Sequence, residues 1–474
     1  MSWAYFFLKI TLIFIHGYYS SMGNILTAFL KARWRFKHWN PAKIHAFQVR
    51  QAQKTVQYAV THSQFYRSYY KNKNIQDVAQ LPLIDKQIMM KNFSNFNTVG
   101  LTKEECMEFC LQNEETRDFS RKYKKNKQQY IMGMSTGTSG NRGIELVTKK
   151  EASKFQVSFI SRFPIPLRLR GRFHLAFILR VFSPGFNVNI GKFRMSYVSP
   201  MDTLENIIEK LNRMQPTALS APPSMLKILA EAKQDSTLQI SPNLVASFAE
   251  VLTPETKEYL QHIFGTDILE VYKCTEGLLA QSCKAGRLHI NEDLTILEVV
   301  DEYDKPVSPG TPGRVIVTDL VKRTTPIIRY RLNDILTIDP EPCPCGSHFR
   351  VIKQIQGRSD DMFLGCRIVT RSPQFIFGDY IRRAIVSTSD HIREYRAMQE
   401  TPTKITVEID LLSEFQSPEE QSIFLTELPP KIIQLFGKHN CEPPEVVIKF
   451  KPITHDFNVK LRRIFRNFNK TDYF

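Results

Sequence analysis

Between residues 135 and 143 the chain runs Ser-Thr-Gly-Thr-Ser-Gly-Asn-Arg-Gly. Such a stretch can hold an anion. Glycine lets the backbone come close to a ligand, and small hydroxyls add donors beside the free N–H groups. Gly137, Gly140 and Gly143 recur every three residues, with Ser135, Thr136, Thr138 and Ser139 between them. The pattern is not a Walker loop, which closes on Gly-Lys-Ser/Thr. The other reading of this stretch is a flexible hairpin connection. A second group of chemically capable residues is Cys283, His289, Cys343 and Cys345. Three thiolates and an imidazole suit a closed tetrahedral Zn²⁺ site. Free thiols beside a tight Pro-Cys-Gly turn are the alternative.

The surrounding pattern shows what must position these groups. Residues 24–75 carry apolar and aromatic side chains at helical spacing, and Leu81-Pro82-Leu83 interrupts them. A helix is expected at 102–112. Tyr130–Met132 and Ile144–Val147 read as strands on either side of the Gly-rich stretch, with a helix near 150–161 after them. Strand-like runs at 173–182, 195–198, 217–220, 244–248 and 268–272 alternate with helical runs at 202–213, 223–233 and 254–264. That alternation predicts an α/β architecture of wound sheets. Residues 286–340 are richer in strands (295–300, 313–318, 327–337) separated by turn signals such as Pro309-Gly310, and read as a β subdomain. Beyond residue 358 a small α+β domain is expected, with Tyr395–Met398 and Lys404–Leu411 as a hairpin.

Further motifs stand in a fixed order after the loop: Ala249-Glu250, Tyr272-Lys273-Cys274-Thr275-Glu276-Gly277, Tyr330-Arg331-Leu332-Asn333-Asp334, Gly357-Arg358-Ser359-Asp360-Asp361 and Lys460-Leu461-Arg462-Arg463. Together with the loop they resemble the signature elements of the adenylate-forming (AMP-binding) superfamily. Pro326–Arg331, Glu341–Gly346 and Gly357–Met362 resemble the phenylacetate–CoA ligase subgroup and the related archaeal adenylyltransferases of a deazaflavin coenzyme. The resemblance spans roughly residues 25–474 in element order. It implies ATP and Mg²⁺ as cofactors, with CoA as a further candidate. It implies nucleotide binding by Ser135, Thr136, Gly137, Thr138, Ser139, Gly140, Ala249, Glu250, Tyr272, Asp334 and Arg358. Tyr272 would stack on adenine, Thr275 would bond the α-phosphate and Glu276 would hold Mg²⁺. Asp334 would accept the ribose hydroxyls, which suits a carboxylate facing a vicinal diol. Lys460 would bridge the carboxylate and the phosphate, and Asp360 would be the hinge between half-reactions. Some members of the subgroup hold zinc at positions equivalent to Cys283, His289, Cys343 and Cys345. Two departures stand out. Arg142 and Gly143 occupy the places where the loop signature has Pro-Lys, and Val459 precedes Lys460 where glycine is usual.

The formal net charge of +17 attracts anions such as nucleic acid, anionic lipid or polyphosphate cofactors, but no nucleic-acid module accompanies it. The eight cysteines lack the spacing of a small secreted disulfide framework, so a reducing cytoplasm is expected. The apolar start, MSWAYFFLKITLIFI, is shorter than the roughly 20 residues of a spanning helix. It reads as an N-terminal extension or buried helix, or as an interfacial membrane anchor over residues 1–23.

The expected organisation is therefore α/β: a large domain over 24–357 of wound sheets, with a β subdomain at 286–340, and a mobile α+β lid domain over 358–474. The leading functional reading is ATP-dependent adenylation of an aryl or acyl carboxylic acid, followed by transfer to a thiol such as CoA or a carrier protein. One alternative places AMP on a coenzyme or other acceptor without a thioester. Another is a catalytically impaired protein that binds a membrane or a partner.

Overall fold

The computed structural model describes residues 22–116, 121–135, 142–164, 173–179, 188–190, 193–200, 202–358, 362–376, 378–454, 462–468 and 472–473. The chain falls into two compact units. The large one ends at Gln354, and the small one is Ile355–Phe474 together with Asn333–Leu336.

The large unit begins with helices Met22–His38, Pro41–His62 and Gln64–Tyr69. Asn40 starts the second by accepting from the Lys43 N–H, with Pro41 in the first turn where its missing N–H costs nothing. Ser63 ends that helix and caps the next. Ile44, Gln48, Ala52, Thr55, Val56 and Ala59 form the buried stripe of Pro41–His62, at the spacing of one helix face. Gln48 is tied down there by Nε2 bonds to the carbonyls of Glu292 (3.0 Å) and Thr295 (3.1 Å).

Helix Lys103–Thr116 leads into a three-stranded sheet, ordered β1 (Tyr123–Lys125), β2 (Gln128–Met134), β3 (Ile144–Thr148). β2 and β3 pair antiparallel from Tyr130↔Thr148 to Met134↔Ile144, so the Gly-rich stretch connects a hairpin. A capping box between Thr148 and Glu151 then launches helix Lys149–Arg162.

The main sheet has twelve strands. In chain order they are β4 (Phe173–Ile178), β5 (Val188–Ile190), β6 (Phe193–Val198), β7 (Ala218–Ala221), β8 (Leu244–Phe248), β9 (Ile268–Lys273), β10 (Leu278–Ser282), β11 (Leu288–Ile290), β12 (Thr295–Val300), β13 (Pro312–Asp319), β14 (Tyr330–Ile338) and β15 (Val351–Arg358). Across the sheet the order is β12-β13-β14-β15-β11-β10-β9-β8-β7-β4-β6-β5. β6, β4, β7, β8 and β9 are parallel. Helices Leu204–Met214, Pro223–Gln234 and Pro254–Phe264 separate β6, β7, β8 and β9 along the chain. Thr203 and Thr253 cap two of these helices, and Gly265 ends the last with a left-handed residue at φ 64°. Every residue of β7 is buried, as in a parallel strand covered on both faces. The strands of segment 286–340 join this sheet edge to edge rather than forming a sheet of their own.

In the small unit, β16 (Phe363–Cys366) pairs with β17 (Pro373–Ile376). Helix Gly378–Val386 precedes the hairpin of β18 (Ile392–Thr401) and β19 (Lys404–Leu411). Helix Pro418–Lys438 follows, and β20 (Glu445–Phe450) and β21 (Ile464–Arg466) complete a sheet ordered β20-β19-β18-β21. Phe424, Leu428, Ile432 and Phe436 lie one turn apart on the long helix and fill the core with Ile405, Val407 and Ile409 of β19. The architecture is α/β with a large domain and a smaller α+β domain.

One buried ion pair braces the large unit. Arg162, at the end of Lys149–Arg162, pairs with Asp293 and donates to Asn291 Oδ1 at 2.6 Å. Its guanidinium also lies over the rings of Phe36 (5.7 Å) and Phe349 (5.4 Å). Both ions are nearly inaccessible, at 6% and 4% exposure, so removing one strands the other in a low-dielectric site. Asp293→Ala is expected to cost about 3–5 kcal/mol of folding stability, read as a lowered midpoint in urea unfolding.

Candidate functional site

β9 and β10 are joined by a tight turn. The Cys274 N–H donates to the Gly277 carbonyl (3.0 Å) and the Gly277 N–H to the Cys274 carbonyl (3.2 Å), leaving Thr275 and Glu276 at the two central positions. Their side chains are bonded to each other, with Thr275 Oγ1 donating to Glu276 Oε2 at 2.8 Å. The buried Tyr330 phenol donates to the same carboxylate. Burial and then the Glu276 charge raise its pKa far above the usual phenol range. Lys322 holds the turn from behind. Its ammonium donates to the Thr275 carbonyl and lies 3.9 Å from Glu145, although the side chain is 1% exposed. Glu145, on β3, also meets Lys273 of β9 at 3.2 Å. Burial would raise the Glu145 carboxyl, but these two lysines hold it below the usual range.

The same bonds bring the base of the Gly-rich loop to the turn. Ser135 and Gly143 close that base: the Ser135 N–H donates to the Gly143 carbonyl, and the Gly143 N–H to Ser135 Oγ, both at 2.8 Å. A Cβ placed on Gly143 would lie 3.9 Å from Thr275 Oγ1 and 3.3 Å from Lys86 Cε. Lys86 Nζ donates to Ser135 Oγ at 3.3 Å. Lys86 was not singled out by any motif. Its only signal was indirect, the glycine at 143 where the signature has lysine. Thr136, Gly137, Thr138, Ser139 and Gly140 lie outside the described residues.

Other expected site residues cluster at the carboxyl ends of the parallel strands, where open α/β sheets bind their ligands. Tyr272 is the next-to-last residue of β9, and Ala249 follows β8 in a left-handed conformation at φ 68°. Glu250 is engaged locally. Its carboxylate accepts from Ser224 N (3.1 Å) and Ser224 Oγ (3.0 Å) at the start of Pro223–Gln234. Phe248 stacks on Phe177 of β4 with centroids 5.3 Å apart, which makes an apolar wall at this end of the sheet. Asp334 and Arg358 lie on β14 and β15, in stretches that cluster with the small unit. Asp360 and Lys460 lie outside the described residues.

The Cys–His group converges. Cys283 follows β10, His289 sits on β11, and Cys343 and Cys345 lie between β14 and β15. Their ligand atoms all lie within 4.8 Å of one another. Cys283 and Cys343 Sγ are 3.6 Å apart, and Cys345 Sγ is 3.4 Å from His289 Nε2. A tetrahedral zinc with bonds near 2.3 Å needs ligand separations of roughly 3.5–4 Å. His289 Nδ1 donates to the Phe349 carbonyl at 2.7 Å, which leaves Nε2 as the ligand nitrogen. Hydrogen bonds from Cys345, His289 and the Ala285 N–H pull the Cys283 thiol well below its usual range, towards thiolate. The donor set fits a structural divalent metal with no open position. It is the one such group among the described residues.

No family model matches the chain. Phenylacetate–coenzyme A ligase of Aromatoleum evansii is 29% identical over 207 residues, 40% of this chain and 46% of that enzyme. The enzyme of the same name from Thermus thermophilus is 26% identical over 243 residues, 48% of this chain and 55% of that enzyme. The chain spans about half the length of these curated relatives. The structure of 2-hydroxyisobutyryl-CoA ligase in the postadenylation state, in complex with 2-HIB-AMP, superimposes with a TM-score of 0.67 over 93% of this chain and 92% of that one, at 16% identity. Over about half its length the chain is similar in sequence to phenylacetate–CoA ligases, and it shares the fold of 2-hydroxyisobutyryl-CoA ligase. Within the large unit, the base of the Gly-rich loop and the Thr275–Glu276 turn are neighbours.

Behind the turn, Asp319 gives a pH test. Its Oδ1 accepts from Val321 N (2.7 Å) and Lys322 N (2.6 Å), and its Oδ2 would lie 3.1 Å from a Cβ on Gly277. Burial pushes its pKa up to about 6, against the pull of Lys322. The folded state therefore holds this proton more tightly than the unfolded one, so folding stability falls as pH rises from roughly 4 to 6, by up to about 3 kcal/mol. Asp319→Asn should remove that slope. Urea unfolding of both proteins at several pH values across the window checks this, and parallel curves would exclude it.

Proposed function

We propose that this protein is an ATP-dependent adenylate-forming ligase that joins a carboxylic acid to AMP with release of pyrophosphate and then transfers the acyl group to a thiol such as coenzyme A. The observation that carries this reading is the junction of the Ser135–Gly143 loop base with the Thr275–Glu276 turn, which puts two expected phosphate-binding elements within side-chain reach. The reaction builds charge on phosphate oxygens, so catalysis rests on positioning and on aimed donors. In this reading Ser135 to Gly140 cradle the phosphates, Thr275 donates to the α-phosphate and Tyr272 packs on adenine. Asp334 accepts the ribose hydroxyls with Arg358 beside it. Lys460 meets the carboxylate and α-phosphate, and Asp360 is the hinge. The Glu276 carboxylate, oriented by Thr275 and Tyr330, keeps oxygen lone pairs for Mg²⁺, which would neutralise phosphate charge when bound.

Phe177 and Phe248 support an aryl or other apolar acid as substrate. The Cys283–His289–Cys343–Cys345 group is assigned a structural zinc that ties β10 and β11 to the loop before β15. None of the eight cysteines is joined in a disulfide, three of them being assigned to the zinc, in keeping with a reducing, cytoplasmic setting. No helix among the described residues is long and apolar enough to cross a membrane.

ATP–pyrophosphate exchange with a panel of aryl and acyl carboxylates tests the main reading. Exchange should depend on one class of acid and fall roughly 10²-fold or more in Lys460→Ala. A labelled product that keeps AMP and forms no thioester would favour nucleotidyl transfer instead. Exchange absent with every acid, in protein that also fails to bind ATP, would refute the ligase assignment. For the metal, purified protein should carry about one zinc per chain. Cys343→Ser should lose it and lower the thermal midpoint, and metal analysis showing no zinc in the unmodified protein would sink the assignment.

A further inference from the structure

The loop lacks lysine where its signature has one, and Gly143 stands there instead. The space that a side chain at 143 would enter is taken by Lys86, whose Cε lies 3.3 Å from the position of a Gly143 Cβ. Its Nζ reaches the loop base at Ser135 Oγ, 3.3 Å away. Thr275 Oγ1 borders the same point at 3.9 Å. A cation is therefore delivered to the phosphate-loop base from a separate, N-terminal part of the chain.

Lys86 is placed by firm structure. Ile84, fully buried, exchanges backbone bonds with the strand opposite: Ile84 N to the Arg329 carbonyl (3.1 Å) and Arg331 N to the Ile84 carbonyl (2.8 Å). Arg329 Nη1 holds the Leu81 carbonyl at 2.8 Å, and the Tyr69 hydroxyl holds that of Leu83 at 2.8 Å. Asp85 Oδ1 then accepts from Ile88 N at 2.8 Å and sets the chain direction at Lys86. An ammonium on such a base keeps its reach to the loop without the entropy cost of ordering a free surface lysine.

We infer that Lys86 is a nucleotide-binding residue of this enzyme, supplying to the β- and γ-phosphates of ATP, and to the pyrophosphate leaving group, the positive charge that the loop itself lacks at Gly143. The inference rests on the ligase reading above. It also explains the glycine. A lysine at 143 and Lys86 would compete for one volume, so this chain keeps one cation and empties the other position. Gly143 lies outside the left-handed region of backbone space, so its lack of a side chain is not demanded by its own conformation.

The test uses the full chain and three probes: Mg-ATP, inorganic pyrophosphate and AMP, each titrated calorimetrically. Lys86→Met keeps the stem and removes the charge. It should weaken Mg-ATP and pyrophosphate by roughly 10- to 100-fold, the range for one hydrogen bond to a charged group, while AMP affinity and the thermal midpoint stay as in the parent. Lys86→Arg should retain most of the affinity. Gly143→Lys in a Lys86→Ala background, where the stem no longer fills the shared volume, should restore binding by returning a cation from the loop side. Equal binding of all three probes by Lys86→Met would overturn the inference, as would a loss for AMP that matches the loss for ATP. A parent protein that binds none of the three would overturn the ligase reading and this inference together. One that binds ATP and AMP normally, with Lys86→Met unchanged, would overturn this inference alone.

Discussion

The arrangement of this site depends on one buried cation, Lys322. An ammonium at 1% exposure is costly to desolvate, and its position makes sense only through what it holds. It donates to the carbonyl of Thr275 and faces the carboxylate of Glu145, while its own N–H is fixed by Asp319. One residue thus connects, through its ammonium, the turn between β9 and β10 and the second strand of the loop hairpin, and, through its backbone N–H, the end of β13. Lys273 repeats the link to Glu145 from the outer side. The hairpin that carries the Gly-rich loop and the turn that carries Thr275 and Glu276 belong to different sheets, and charge rather than strand pairing joins them.

A second anionic centre works the other way round. Glu151 closes the capping box of its own helix and also accepts from the Thr324 N–H at 3.0 Å, from Arg323 N and from the Thr324 hydroxyl. Burial would raise its pKa, yet these donors, Thr324 first, hold it below the ordinary carboxylate range. The segment 322–324 is thereby clamped from both ends, by a cation reaching forward to Thr275 and by backbone donors reaching back to Glu151.

Much of the fold was legible in the residue pattern because it is local. The stripe from Ile44 to Ala59, the alternation of strands and helices from Phe173 to Lys273, and the hairpin of β18 and β19 all follow from spacing within single elements. The cluster of Cys283, His289, Cys343 and Cys345 was legible too, since thiols and imidazole announce their chemistry by type. Lys86, Lys322 and Glu145 were not. A lysine or glutamate in sequence reads as solvated surface, and its role is set by partners 47 to 177 positions away. Glu250 shows the converse: its place in a motif suggested nucleotide contact, and the structure shows its carboxylate also capping a helix through Ser224. Where β12 to β15 join was equally hidden, because periodicity describes a strand and not its neighbours.

That strand order has a consequence for how the molecule is made. β11 lies between β10, which immediately precedes it, and β15, about 60 residues later. As the chain leaves the ribosome, the sheet from β4 to β11 can assemble while one edge of β11 stays open until residue 352 has been synthesised. The thiols and imidazole sit on both sides of that seam: Cys283 and His289 on the early side, Cys343 and Cys345 on the late one. The two halves of the ligand set therefore meet only when the last strand of the sheet docks, and the integrity of that cluster reports that translation-coupled assembly has run to completion.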